Sequence, residues 1–216
     1  MIYKIYLIDG DNGISILEST FKELRKGKLG NDVMPGFFKE INQIIDNIQD
    51  AMAKGKKRHE IIRTVESEDS TIVIYYHPIS RILFCSISDA DDNTDKLIEV
   101  INKIAIRFWK KHQSDIKTFR STTERSRFQT IITDIENLTY GGKIAEVFPT
   151  LLVAKSVLEK IMSMGMITEF DFKVALKCTG EKEKNSPLKI ARFFNKTRTE
   201  IYEVLKKLEQ LDIIKI

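Results

Sequence analysis

The sequence predicts an α+β protein: a five-stranded antiparallel sheet sandwiched by helices, followed by a small all-helical module. Three observations carry this. Up to about residue 140, five short stretches rich in Ile, Val, Tyr and Leu combine with helical stripes in the order strand, strand, helix, three strands, helix, helix. Only short turns separate successive strands, which antiparallel neighbours need and parallel ones do not. Near the C-terminus, two amphipathic helical patterns flank a polar turn at Asn195-Lys196-Thr197, the layout of a helix-turn-helix.

In chain order, Ile2 to Ile8 reads as a strand, broken by Asp9-Gly10-Asp11-Asn12-Gly13 and resumed at Ile14 to Ser19 as a β-hairpin. A basic loop at Arg25 to Asp32 leads to Pro35, near the start of a helix running to about Lys54. Its apolar face is Phe37, Phe38, Ile41, Ile44, Ile45, Ile48 and Met52. Strands follow at His59 to Ser67, Ser70 to His77 and Arg81 to Ser88, with turns at Glu66 to Ser70 and His77-Pro78-Ile79-Ser80. A long helix opens after Asp89-Ala90-Asp91-Asp92-Asn93-Thr94 and runs through Trp109, burying Leu97, Ile98, Ile101, Ile104, Ala105, Phe108 and Trp109. A polar stretch with a break, Lys110 to Arg127, precedes another helix with Phe128, Ile131, Ile132, Ile135 and Leu138, ended by Gly141-Gly142. From Pro149 a helix with Leu151, Leu152, Val157, Leu158 and Ile161 leads into Met162-Ser163-Met164-Gly165-Met166. The expected organisation is a sheet domain over 1–140, a helical connector over 141–167 and the helix-turn-helix module over 168–216.

In that module Leu188, Ile190, Ala191, Phe193 and Phe194 supply the first helix. Thr197 caps the second, and Glu200 three residues on completes a capping box. Ile201, Val204, Leu205, Leu208 and Leu211 form one buried stripe, leaving Arg198, Thr199, Tyr202 and Lys206 on the other face. That face is where a recognition helix offers side chains to a groove, with Lys189, Arg192 and Lys196 placed for phosphates.

A chain of 216 residues, 42% hydrophobic and 31% charged, has ample material for a core. Its net charge is +4 and its pI about 8.9. From Thr168 onward eleven Lys/Arg face eight Asp/Glu, a net of +3, against +1 upstream. Cys85 and Cys178 lie in different elements without metal-type spacing, so a reducing, cytoplasmic setting is expected. The N-terminus turns polar too early for a signal peptide, and no apolar run approaches the ~18 residues of a membrane span.

Candidate chemistry dissolves under inspection. Asp89 to Asp95 alternates carboxylates like a calcium loop, but Thr94 stands where Gly is needed and Val100 where a bidentate Glu is needed. Helix capping accounts for these acids better. Asp9 and Asp11 suggest a phosphatase only if partner motifs exist, and ordinary turn chemistry explains them. His59, His77 and His112 are scattered, and Gly141-Gly142 lacks the Lys-Ser/Thr of a phosphate loop. Met162, Met164 and Met166 read as a junction filler rather than a docking surface. The basic clusters Arg25 to Lys28 and Lys54 to Arg58 read as solvated loops rather than contacts to headgroups or nucleic acid. No catalytic residue, cofactor or metal is expected.

The segments IYLIDGDNGISILESTF (5–21), PGFFKEINQIIDNI (35–48) and TVESEDSTIVIYYHPISRILFCSISDADDN (64–93) together resemble a longin domain, of the archaeal longin-like kind related to roadblock proteins. The likeness spans roughly Met1 to Leu138. A roadblock domain would begin with a helix, and this chain begins with a strand. The resemblance implies a non-catalytic platform that dimerises, or holds small GTPases and trafficking factors, through the sheet edge and first helix. The Ala191 to Leu208 pattern is similar to a winged helix-turn-helix. Lys196 occupies a turn position usually apolar in that family, and Glu200 and Glu203 add negative charge. Ile213 to Ile216 supplies one strand but no second for a hairpin wing.

The expected function is a non-enzymatic adaptor: a homodimerising or partner-binding longin-like part, with a small GTPase as candidate partner, coupled to a recognition module. The alternative is a DNA-binding transcriptional regulator with an N-terminal dimerisation or sensor domain.

Overall fold

The computed structural model describes residues 1–23, 28–55, 59–178 and 184–216. Arg25, Lys26 and Gly27, and Lys56, Lys57 and Arg58, which carry most of the two basic clusters, lie outside the described residues, as does the side chain of Met52. Two compact units divide at Ala145/Glu146.

The first unit is built on five strands: β1 (Ile2–Asp9), β2 (Ser15–Thr20), β3 (Ile61–Glu66), β4 (Ser70–His77) and β5 (Ile82–Asp89). They pair antiparallel in the order β2-β1-β5-β4-β3. β1 and β5, with partners such as Leu7↔Phe84, form the centre, and β2 and β3 are the edges. The β1–β2 turn closes with Asp9 N–H on the Ile14 carbonyl, and Gly13 takes the left-handed conformation (φ 73°) that the turn needs.

Helix α1 (Lys28–Ala53) covers one face of the sheet. Phe37, Ile41, Ile44, Ile45 and Ile48 pack on Tyr6, Ile74, Tyr76, Leu83 and Cys85. The other face carries α2 (Thr94–Thr122), whose Leu97, Ile101, Ile104 and Phe108 meet Ile5, Leu7, Val73 and Phe84, and α3 (Ile131–Thr139), which adds Ile131 and Ile135. Each such fully buried side chain contributes about 1.5–3 kcal/mol. Trp109 lies at the rim of this core, its ring 6.5 Å from His77.

Several expectations are corrected here. α1 begins at Lys28, seven residues upstream of Pro35, so the proline lies inside the helix. There it gives up the bond to the carbonyl four residues earlier and crowds that carbonyl, at a cost of about 3 kcal/mol that the apolar face of the helix must outweigh. Lys110 to Arg127 is not a polar linker: α2 continues to Thr122, bending at His112 (φ −123°, ψ 16°). His112, Ile116 and Phe119 stay buried at spacings of four and three, a stripe hidden among ten polar residues. A 3-10 turn (Ser126–Phe128) precedes α3, so Phe128 lies outside that helix. α3 ends on three consecutive left-handed residues, Tyr140, Gly141 and Gly142, and Gly142 passes so close to β1 that a Cβ would sit 2.9 Å from the Ile2 carbonyl oxygen.

The second unit runs from Glu146 to Ile216. Thr150–Leu151 is a short strand (β6), not the first turn of a helix; α4 (Lys155–Ser163) starts after it. The partner of β6 is β7 (Ile214–Lys215), with Leu151 opposite Ile214, so the terminal strand finds its mate across the unit rather than in a hairpin. α5 (Glu169–Lys177), α6 (Pro187–Phe194) and α7 (Arg198–Gln210) complete it. Leu158, Ile167, Val174, Ile190, Ala191, Ile201, Leu205, Leu208 and Ile213 make one core, so residues before 168 share it.

Candidate functional site

Helices α6 and α7 and their turn hold every residue singled out for recognition. Ser186 caps α6 on the Lys189 amide, with Pro187 at the first helical position where its missing N–H costs nothing. Asn195 ends α6 in the left-handed region (φ 50°). Thr197 and Glu200 form the expected capping box: the Glu200 amide donates to Thr197 Oγ1 (3.2 Å), and the Thr197 amide donates to Glu200 Oε2 (2.8 Å). Ile201, Leu205 and Leu208 face inward.

Of the seven residues, Lys189, Arg192, Lys196, Thr199 and Lys206 are exposed, whereas Arg198 and Tyr202 are half-buried. Arg198 lies with its guanidinium carbon 4.8 Å from the centre of the Tyr202 ring, one turn along α7, a stacking that fixes both side chains. Lys196 gives its ammonium to Glu200 Oε1 at 2.8 Å. That bond, with the Thr197 donors, holds the Glu200 carboxyl at about 2. The turn lysine is thus turned onto α7, while Glu203 stands exposed among the cations.

Composition alone did not reveal Phe193. It is 63% exposed on α6, and the Lys177 ammonium sits 3.7 Å above its ring. The apolar pattern of α6 placed both Phe193 and Phe194 inside, but only Phe194 turns inward, edge-on to Phe170. α5 also carries a capping box that the sequence reading passed over, Thr168 with Asp171. Burial pushes the Asp171 carboxyl up, but hydrogen bonds from Lys207 and Thr168 outweigh it and hold the group below its ordinary range.

In the first unit, a second surface lies along β3 and α1. β3 is an edge strand whose burial alternates: Ile61, Arg63 and Val65 face α1, and Ile62, Thr64 and Glu66 are exposed. Arg63 donates to Glu40 (2.8 Å) and Gln43 (3.1 Å), tying the strand to the helix. Beside these, Pro35, Phe38, Lys39, Asn42 and Asp46 line a shallow depression, with Phe38 51% exposed.

The remaining sequence candidates resolve into structure. Asp9 is fully buried and grips Arg120, which donates Nε to Oδ2 (3.0 Å) and a terminal nitrogen to Oδ1 (3.2 Å). The same guanidinium donates to the Ser80 carbonyl (2.9 Å), and Asp11 pairs with Arg81 at 2.6 Å. At the end of β5, Asp89 accepts from the Asp91 amide and the Tyr3 hydroxyl, Asp92 pairs with the N-terminal ammonium, and Asn93 caps α2. His112 bridges Asp115 (2.9 Å) and Thr130 (3.2 Å), fastening the bend of α2 to the start of α3. Both cysteines are buried free thiols, Cys178 pushed up to about 12 by burial. No metal-type cluster of His, Cys, Asp and Glu occurs among the described residues, and no described helix is long and apolar enough to cross a membrane. Comparison with known protein families and with curated proteins finds no match for this chain.

Proposed function

We propose that the chain is a non-enzymatic adaptor whose first unit is a longin-like platform and whose second unit is a winged-helix-like recognition module. The strand order β2-β1-β5-β4-β3, with α1 on one face and α2 and α3 on the other, supports the longin-like reading. The observation that carries the function is the β3 edge. Among the described residues no strand pairs with its outer side, which lies beside exposed Ile62 and the exposed Phe38 of α1, with Arg63 drawn aside onto the helix rather than guarding the strand. Such an edge pairs readily with another strand. A second copy of the chain is the first candidate, and a small GTPase the second.

Sedimentation equilibrium of the purified chain tests this. A dimer is expected, with Ile62→Asp and Phe38→Asp each raising the dissociation constant at least about tenfold. A chain that stays monomeric at every concentration and retains no purified small GTPase would sink the reading.

The rival, a DNA-binding regulator, is favoured by the donors Arg198, Thr199, Tyr202 and Lys206 clustered on α7. It demands salt-dependent retention of duplex DNA, with Lys189→Ala flattening the log–log salt slope by about one unit. Exposed Glu203 and the Lys196–Glu200 pair weigh toward a protein ligand for this module.

A further inference from the structure

We infer that the outer face of α2 is a docking surface for anionic lipid headgroups. Residues 103–127 carry eight Lys/Arg and two Asp/Glu, a net of +6. Arg120 turns inward onto Asp9, and Arg125 and Arg127 lie beyond the end of α2, so the face itself presents Lys103, Arg107, Lys110, Lys111 and Lys117. Positive charge is therefore concentrated here more than in the helix-turn-helix. Lysines stand at 96, 103, 110 and 117, two helical turns apart, or ~10.5 Å of rise per step in a straight helix. All four are exposed, as are Arg107 and Lys111. The bend at His112 falls within the row, and Lys117 is exposed beyond it.

Part of this charge is answered locally. Lys103 meets Glu99 at 2.5 Å, and Arg107 and Lys111 share Asp134. Burial pushes the Asp134 carboxyl up, but those two cations outweigh it and keep the group ionised. Lys110 and Lys117 take no ion-pair partner among the described residues. After Glu99, α2 exposes no carboxylate; Asp115 is half-buried between His112 and Arg127.

A lipid surface fits better than other polyanions. Ile106, 58% exposed, sits between Lys103 and Lys110, so an apolar side chain is bracketed by ammonium groups, as on helices that lie in a bilayer interface. Flexible lysines suit diffuse attraction to headgroups, whereas planar Arg forks suit fixed phosphates. Stacking of single-stranded bases needs exposed rings, and the aromatics of α2 are buried except Trp109, which is half-buried against His77.

The test is co-sedimentation of the full chain with phosphatidylcholine vesicles, with and without phosphatidylserine. Binding is expected only with phosphatidylserine, and should vanish at high salt as the Debye length shrinks from about 10 Å at 0.1 M to about 3 Å at 1 M. Each lysine near the surface contributes about fivefold, so the triple variant Lys103→Gln, Lys110→Gln, Lys117→Gln should bind on the order of a hundredfold more weakly. The matching triple Lys→Arg variant should bind like the parent, and Ile106→Ser should lose severalfold. Absence of phosphatidylserine-dependent sedimentation at low salt, or undiminished binding by the Gln variant, would overturn the proposal. So would displacement of the chain from vesicles by an equal charge of duplex DNA. None of these residues lies on β3, α1 or α7, so failure here is distinguishable from failure of the adaptor reading.

Discussion

Asp9 is a carboxylate with no exposed surface, tolerable only because Arg120, 111 positions later, delivers two hydrogen bonds to it. Removing one partner of a buried ion pair strands the other charge, at a cost of about 3–5 kcal/mol, whereas removing both costs much less. Arg120→Ala should therefore shift the urea unfolding midpoint strongly, and the double variant Asp9→Asn, Arg120→Leu should recover most of the loss. Equal destabilisation by single and double variants would contradict this. The sequence marks Asp9 only as the first residue of a turn, because local spacing carries no trace of a partner that the sheet brings in from α2. Thr197 and Glu200 were legible for the opposite reason: a capping box spans three residues and is written entirely in local sequence.

At the level of elements, the β4–β5 hairpin turn depends on one imidazole. Nδ1 of His77 accepts from the Ser80 amide (3.3 Å) and contacts the Ser80 hydroxyl (2.9 Å), roles that need a neutral ring. Burial lowers the His77 pKa from its ordinary 6.5, with Glu60 opposing. The unfolded chain thus takes up this proton before the folded one does. Its contribution to stability is complete above 6.5, falls as pH drops through that value, and levels off below the folded pKa. His77→Gln should flatten that slope in unfolding midpoints measured across the same range. The strands themselves were readable, since each is short, apolar and bounded by turn residues. The helices were less so: buried His112, Ile116 and Phe119 continue α2 through a stretch whose overall polarity looks like a linker. β6 was invisible because two residues make a strand only when β7, sixty-odd positions away, supplies the ladder.

For the whole molecule, a modest net charge of +4 conceals a segment of +6 at residues 103–127, which a division of the charge at Thr168 averages away. Whether that face meets lipid is decided by vesicles, and whether β3 meets another strand by sedimentation. The coarse architecture was recoverable because element order and short turns restrict an antiparallel sheet to few topologies. The surfaces were not, since exposure of Ile62, Ile106 and Phe193 is a property of what the folded chain leaves uncovered, which no periodicity reports.

The chain holds one indole, and it belongs to the first unit. Emission from Trp109 therefore follows the melting of the sheet unit. Ellipticity sums helices from both. Melting curves from the two probes superimpose only if the units give way together, so a divergence between them would reveal the division at Ala145/Glu146 optically, in the intact chain and without a label.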